Sequence, residues 1–235
     1  MAAAAIAPII LPVKRLAPHT ATVIFLHGLG DTGKGWQPIA DHLSKSLDHI
    51  KWVLPTAPVR QVTFAGGFPM NAWFDILETI SIDRPEDDEG IKAAAKNLDT
   101  LIEAEIAAGI PVERIVIGGF SQGGATSLYT GLTTKHDIAG TVALSTWIPA
   151  RNTVPSISDT AKKGRYFLAH GEDDEVVSFK FGEATADLLT KKYGIPAEAD
   201  EAGRGISFHR YSDMGHNADP REIEALTAWL KKAIP

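Results

Sequence analysis

The chain has 235 residues, with 44 % hydrophobic and 22 % charged side chains; that balance belongs to an ordinary globular protein and excludes disordered and collagen-like classes. The formal net charge is −6 and the acids are scattered, so there is no dense basic face for a phosphate backbone and no nucleic-acid partner is expected. Cysteine is absent, which removes disulfides, a thiolate nucleophile, cysteine-ligated zinc, palmitoylation and prenylation together.

Met1 to Pro12 is apolar, but it lacks a basic leading region and is interrupted by Pro8 and Pro12. It reads as neither a signal peptide nor a membrane span. Ala2 excludes N-myristoylation, so any membrane contact is expected to be peripheral.

Thr22 to Leu26 is the first short, continuously apolar run and reads as a strand buried on both faces. Lys51 to Leu54, Arg114 to Ile117, Gly140 to Leu144 and Tyr166 to Ala169 read the same way, and Ile206 to Tyr211 is a further strand-like run. Between them, Asp88 to Ala108 carries Ile91, Ala95, Leu98, Leu101, Ile102 and Glu105/Ile106 at helical spacing. The last helix is announced by Asp219 as N-cap, Pro220 at the first helical position and Glu222 in a capping-box-like place. Ile223, Leu226 and Leu230 then form its buried stripe. Strands alternating with helices predict an α/β fold with a mostly parallel central sheet covered on both faces. No composition shift marks a boundary, so residues 1–235 are expected to form one domain. Trp147 to Gly164 reads as the longest irregular stretch and is too short for a large cap domain.

Four segments carry chemistry. His27-Gly-Leu-Gly-Asp31 ends the first strand, and its glycines would let a backbone amide approach a substrate carbonyl. Gly28-x-Gly30-x-x-Gly33 also matches a dinucleotide-binding fingerprint, but no acidic residue ends the second strand, which runs into Pro55-Thr-Ala-Pro58. Nucleotide binding is therefore set aside; no metal-ligand motif is present, and no cofactor is expected. Gly119-Phe-Ser-Gln-Gly123 is a G-x-S-x-G pattern between a strand and a helix start, the setting a nucleophile elbow requires, with Ser121 as nucleophile. The expected oxyanion donors are the amides of Gln122 and of a residue in the early loop, Leu29.

Of eight histidines, only His216 lies in a turn after a late strand and before the final helix, where the general base of such a fold belongs. His209 reads as a strand residue. The acid should follow Tyr166 to Ala169, where Glu172, Asp173, Asp174 and Glu175 are consecutive. Residue chemistry alone leaves the choice among them open.

The segments Phe25-Leu-His-Gly-Leu-Gly-Asp-Thr-Gly33, Trp73-Phe-Asp-Ile76, Gly118-Gly-Phe-Ser-Gln-Gly-Gly124, Ala143-Leu-Ser-Thr-Trp-Ile-Pro149, His170-Gly171 and Gly215-His216 together resemble the acyl-protein thioesterase / lysophospholipase-like carboxylesterase family, of α/β-hydrolase fold. The resemblance spans nearly the whole chain. It implies a Ser121–His216–Asp174 triad, since the family's acid is the third residue after the His-Gly pair, and an oxyanion hole from Leu29 and Gln122. It implies a cytoplasmic enzyme hydrolysing acyl thioesters or esters, with S-acylated proteins or lysophospholipids as substrates. A hydrophobic acyl channel comes with it, and Trp147, Val176 and the Phe68-Pro69-Met70 loop stand at matching positions. Where members usually carry proline after the acid and again three residues later, this chain has Glu175 and Ser178, which bears on the shape of that channel and on chain-length preference. A small-ester carboxylesterase, a lysophospholipase and a non-catalytic hydrolase-fold binding protein are the alternatives, and a homodimer is left open.

Overall fold

The computed structural model describes residues 9–11, 18–79, 81–151, 154 and 157–235. Most of the apolar N-terminal segment therefore lies outside the described residues, but Ile9–Leu11 forms a strand, β1. It is followed by β2 (Ala21–Leu26), α1 (Gly33–Leu43), β3 (Ile50–Leu54), β4 (Val59–Val62), β5 (Phe68–Asn71) and α2 (Asp88–Ala107). The second half comprises β6 (Ile115–Phe120), α3 (Gln122–Thr133), β7 (Gly140–Leu144), α4 (Asp159–Lys162), β8 (Arg165–Gly171), α5 (Phe179–Lys191), β9 (Gly205–Tyr211) and α6 (Pro220–Ala233).

Seven strands form one sheet in the order β1-β3-β2-β6-β7-β8-β9. All neighbours are parallel except β1, which runs antiparallel to β3. The six strand-like runs are all strands of this sheet, and the architecture is that of an α/β hydrolase. Along β2, Ile24 and Leu26 enter one core while Val23 and Phe25 enter the other. Pleating sends successive side chains to opposite faces, so a strand covered on both sides needs apolar residues throughout. The first core also holds Leu98 of α2, Leu128 of α3 and Leu189 of α5; the second holds Trp36 of α1 and Leu230 of α6. Among the described residues no large cap domain covers the sheet.

The sheet order turns back at β2. The chain adds β3 on one side, makes the β4–β5 hairpin, and resumes with β6 on the other side. Such a reversal opens a crevice at the carboxyl ends of the strands on either side of it, where ligands of open α/β sheets bind.

Two details differ from expectation. Phe68-Pro-Met is a strand, paired with β4 in a separate hairpin with Pro69 opposite Gln61; a two-stranded ribbon has only edges, which tolerate the missing proline N–H. In α2 the buried member of the Glu105/Ile106 pair is Glu105. Thr22 Oγ1 donates to its Oε2 at 2.7 Å and Lys51 Nζ to its Oε1 at 2.6 Å, so both carboxylate oxygens are satisfied by the sheet beneath.

Candidate active site

Ser121 stands between β6 and α3 with φ 52° and ψ −120°, a strained conformation for a residue with a Cβ. Several contacts hold it there. Its amide donates to Leu144 O at 2.8 Å, and its carbonyl accepts from Thr146 Oγ1 at 2.6 Å and from the Ala125 amide at 3.0 Å. The neighbouring glycines are required by crowding: a Cβ on Gly119 would meet the Gly123 backbone, and one on Gly123 would strike Leu26 O. Helix α3 is buried from Gln122 through Leu132, and its small residues let it lie directly on the sheet.

His216 follows β9 and Asp174 follows β8. His216 Nδ1 and Asp174 Oδ2 are 2.7 Å apart, the distance of a charge-assisted hydrogen bond. Asp174 Oδ1 accepts from the amides of Val176 at 2.9 Å and Val177 at 2.7 Å. Burial by itself would raise the pKa of Asp174. The donors from His170, His216 and the Val177 amide outweigh burial and hold it well below the usual carboxylate range. Asp174 is 5 % exposed, while Glu172, Asp173 and Glu175 are exposed. Of the four consecutive acids, Asp174 is the one turned inward.

Sequence reasoning missed two supports of this pair. The Phe120 ring lies 4.6 Å from the His216 ring, and Phe120 in turn packs on Trp36. His170, fully buried on β8, has Nε2 2.7 Å from Val177 O and 3.4 Å from Asp174 Oδ2. A carbonyl only accepts, so Nε2 carries the proton. His170 thereby ties down the loop that presents Asp174. A Cβ on Gly182 of α5 would come within 2.6 Å of the His170 ring, so that glycine makes room for the imidazole.

On the far side of Ser121, the buried loop histidine has a defined tautomer. His27 Nε2 accepts from the Ala57 amide at 3.0 Å, so Nδ1 donates to Gly28 O at 2.6 Å. Burial lowers its pKa, consistent with a neutral ring. The Gln122 side chain clasps the segment after β5: its Oε1 accepts from the Trp73 amide at 2.9 Å and its Nε2 donates to Phe74 O at 2.8 Å. Neither the Leu29 nor the Gln122 amide has a backbone acceptor among the described residues. At Gln122 this follows from its place as first residue of a helix.

Ser121, His216, Leu29, Trp147 and Val176 line one cavity of about 380 Å³, together with Phe64, Ile76, Arg84, Val177 and Phe181. The positions drawn together thus come from the ends of β2, β6, β7, β8 and β9. Phe68 and Met70 lie on β5 outside this lining; Phe68 is exposed and Met70 packs against the core. Among the described residues no group of three or more His, Asp or Glu side chains is arranged to hold a metal ion.

A family model described as phospholipase/carboxylesterase matches residues 10–234. The chain belongs to that family. An acyl-protein thioesterase 1 of Cryptococcus neoformans is 46 % identical over 95 % of this chain and 97 % of its own length. One of Mycosarcoma maydis is 43 % identical over 92 % of each. The crystal structure of Arabidopsis thaliana SOBER1 superposes with a TM-score of 0.83 at 32 % identity, covering 92 % of this chain and 99 % of that one. Zea mays acyl-protein thioesterase 2 superposes with a TM-score of 0.77 at 30 % identity, covering 97 % and 99 %. Family membership makes this chain a hydrolase of acyl esters.

Proposed function

We propose that the chain is an acyl-protein thioesterase that removes acyl groups from S-acylated proteins through a Ser121–His216–Asp174 triad. The observation that carries the mechanism is the 2.7 Å contact between His216 and Asp174 at the wall of the cavity that Ser121 also lines. The thioesterase reading rests on the fungal relatives of that name.

Ser121 Oγ attacks the thioester carbonyl while His216 Nε2 takes its proton. Asp174 holds the proton on Nδ1, fixes the ring, and stabilises the imidazolium that forms. Negative charge developing on the carbonyl oxygen is met by the amides of Leu29 and Gln122 and by the N-terminus of α3. The C–S bond breaks, the thiolate leaves with the proton from His216, and an acyl-Ser121 ester remains. Water then gives its proton to His216 and attacks this ester, releasing the carboxylic acid and restoring Ser121. The reading includes a cytoplasmic setting, in keeping with the acyl-protein thioesterase relatives. No helix among the described residues is long and apolar enough to cross a membrane, and contact with a bilayer would be peripheral.

Incubation with an S-palmitoylated protein should release palmitate and free the cysteine thiol. Turnover of small esters or lysophospholipids with no loss of acyl groups from the protein substrate would reassign the enzyme to the carboxylesterase or lysophospholipase branch.

A further inference from the structure

The catalytic cavity is walled by apolar side chains, including Leu29, Ile76, Phe120 and Val177, yet it also contains a cation, Arg84. The guanidinium carbon of Arg84 is 4.9 Å from the ring centre of Trp147 and 4.9 Å from that of Phe181. Its Nη1 donates to Ser81 O at 3.2 Å. Glu86 and Glu78 attract it through space, but Glu86 is itself occupied by the Trp147 indole N–H and the Ala150 amide. Arg84 is thus held mainly by stacking, a contact that releases more readily than a bidentate ion pair.

A second cavity, of about 280 Å³, lies alongside, lined by apolar Ile82, Ile148 and Leu188 together with charged Glu86, Arg151, Asp187, Lys191 and Lys192. Trp147 and Phe181 belong to the walls of both cavities. They are the two rings on which Arg84 stacks, and Arg84 itself lines only the Ser121 cavity, so its guanidinium stands on that cavity's side of the shared Trp147–Phe181 wall. An acyl chain extending from Ser121 gains free energy with each methylene placed on the apolar wall. At that wall the next methylene would lie against a charged group and strip water from it, which opposes binding.

We propose that Arg84 is a specificity-determining plug, whose guanidinium, stacked on the shared Trp147 and Phe181 wall, closes that end of the Ser121 cavity and sets the upper length of acyl chain accepted there. The inference rests on the reading of the Ser121 cavity as the acyl site, and deepens it. Chains that end before the guanidinium are accommodated as the cavity stands. Longer chains fit only by displacing it.

The test compares wild type with Arg84→Ala, which opens that end of the cavity, and Arg84→Met, which keeps the length but removes the charge. The readout is kcat/KM for butyryl, octanoyl and palmitoyl p-nitrophenyl esters. The palmitoyl-to-butyryl ratio should rise at least about tenfold in Arg84→Ala, the discrimination that a single methylene commands in an apolar pocket, and move the same way in Arg84→Met. Should Arg84→Ala fail to fold, the Met variant carries the comparison. Calorimetric binding of palmitate and octanoate to Ser121→Ala, with and without Arg84→Ala, reads the same limit without turnover; palmitate alone should bind more tightly when Arg84 is removed. A wild type inactive on every ester would refute the hydrolytic reading, while this binding comparison would still judge Arg84. Unchanged length profiles in both variants overturn the plug. So does a wild-type preference for acyl chains ending in a carboxylate that both variants lose, since Arg84 would then be an anion ligand.

Discussion

Asp174 stands among three other acids and differs from them in being buried and in facing two amides and the imidazoles of His216 and His170. Replacing it by Asn removes the negative charge that favours the imidazolium and permits the wrong tautomer of His216; kcat should fall on the order of 10³–10⁴-fold. Ser121→Ala should lower kcat on the order of 10⁴-fold or more and abolish labelling by a fluorophosphonate probe. Retained labelling would show that the reactive serine is elsewhere. Ser121 and His216 are legible as candidates from local pattern, because the elbow and the turn before a capped helix are short-range features. Asp174 was not separable from its neighbours by residue chemistry, because what distinguishes it is burial created by β8, β9 and the 215–217 turn; the family resemblance supplied the choice. Phe120 and His170 are legible only as motif residues and Arg84 not at all, because the ring contact of Phe120 with His216, the seat of His170 against α5 and the stacking of Arg84 on Trp147 and Phe181 join separate elements.

At the scale of elements, α5 and β8 meet through the His170 imidazole seated over Gly182. Gly182→Ala pushes a methyl into that ring and disturbs the bond from His170 to Val177 O. A cost of about 1–3 kcal/mol is expected, as for other overpacked sites, together with lower kcat because the Asp174 loop loses its tie. Denaturant unfolding and steady-state kinetics measure the two effects, and a variant as stable and as active as wild type would remove His170 from the supporting structure. Helices whose signals are local were predicted closely. α6 begins with Pro220 after Asp219, whose side chain accepts from the Arg221 amide at 2.8 Å. α2 ends within one residue of its expected limit. The strand β5, with Pro69 inside it and an exposed Phe68, carries no continuous apolar run, so Phe68-Pro69-Met70 reads as loop from sequence.

For the whole molecule, pH enters through Glu222. Its side chain is fully buried at the start of α6, and neither carboxyl oxygen has a partner in hydrogen-bond geometry among the described residues. Burial pushes its pKa up from 4.5 to about 8, and the negative charge of Asp219 acts in the same direction; the Asp219 amide offsets this only in part. Between these two values the folded chain keeps a proton that the unfolded chain has released. The contribution of Glu222 to stability is therefore complete below about pH 4.5 and is lost progressively as pH rises through about 8. Glu222→Gln, which stays neutral, should flatten the decline in unfolding free energy between these limits. Identical pH slopes in the two proteins would show that Glu222 is not protonated in the native state.

Strand positions, the limits of α2, the start of α6 and the elbow around Ser121 follow from apolar runs, caps and glycine spacing, all of which act over a few residues and are written along the chain. Sheet order, the inward turn of one acid among four, the burial of Glu105 and Glu222, and the stacked guanidinium at the cavity wall depend on which distant segments meet. Those contacts are selected by packing and desolvation over the entire fold, and no local stretch of residues encodes them.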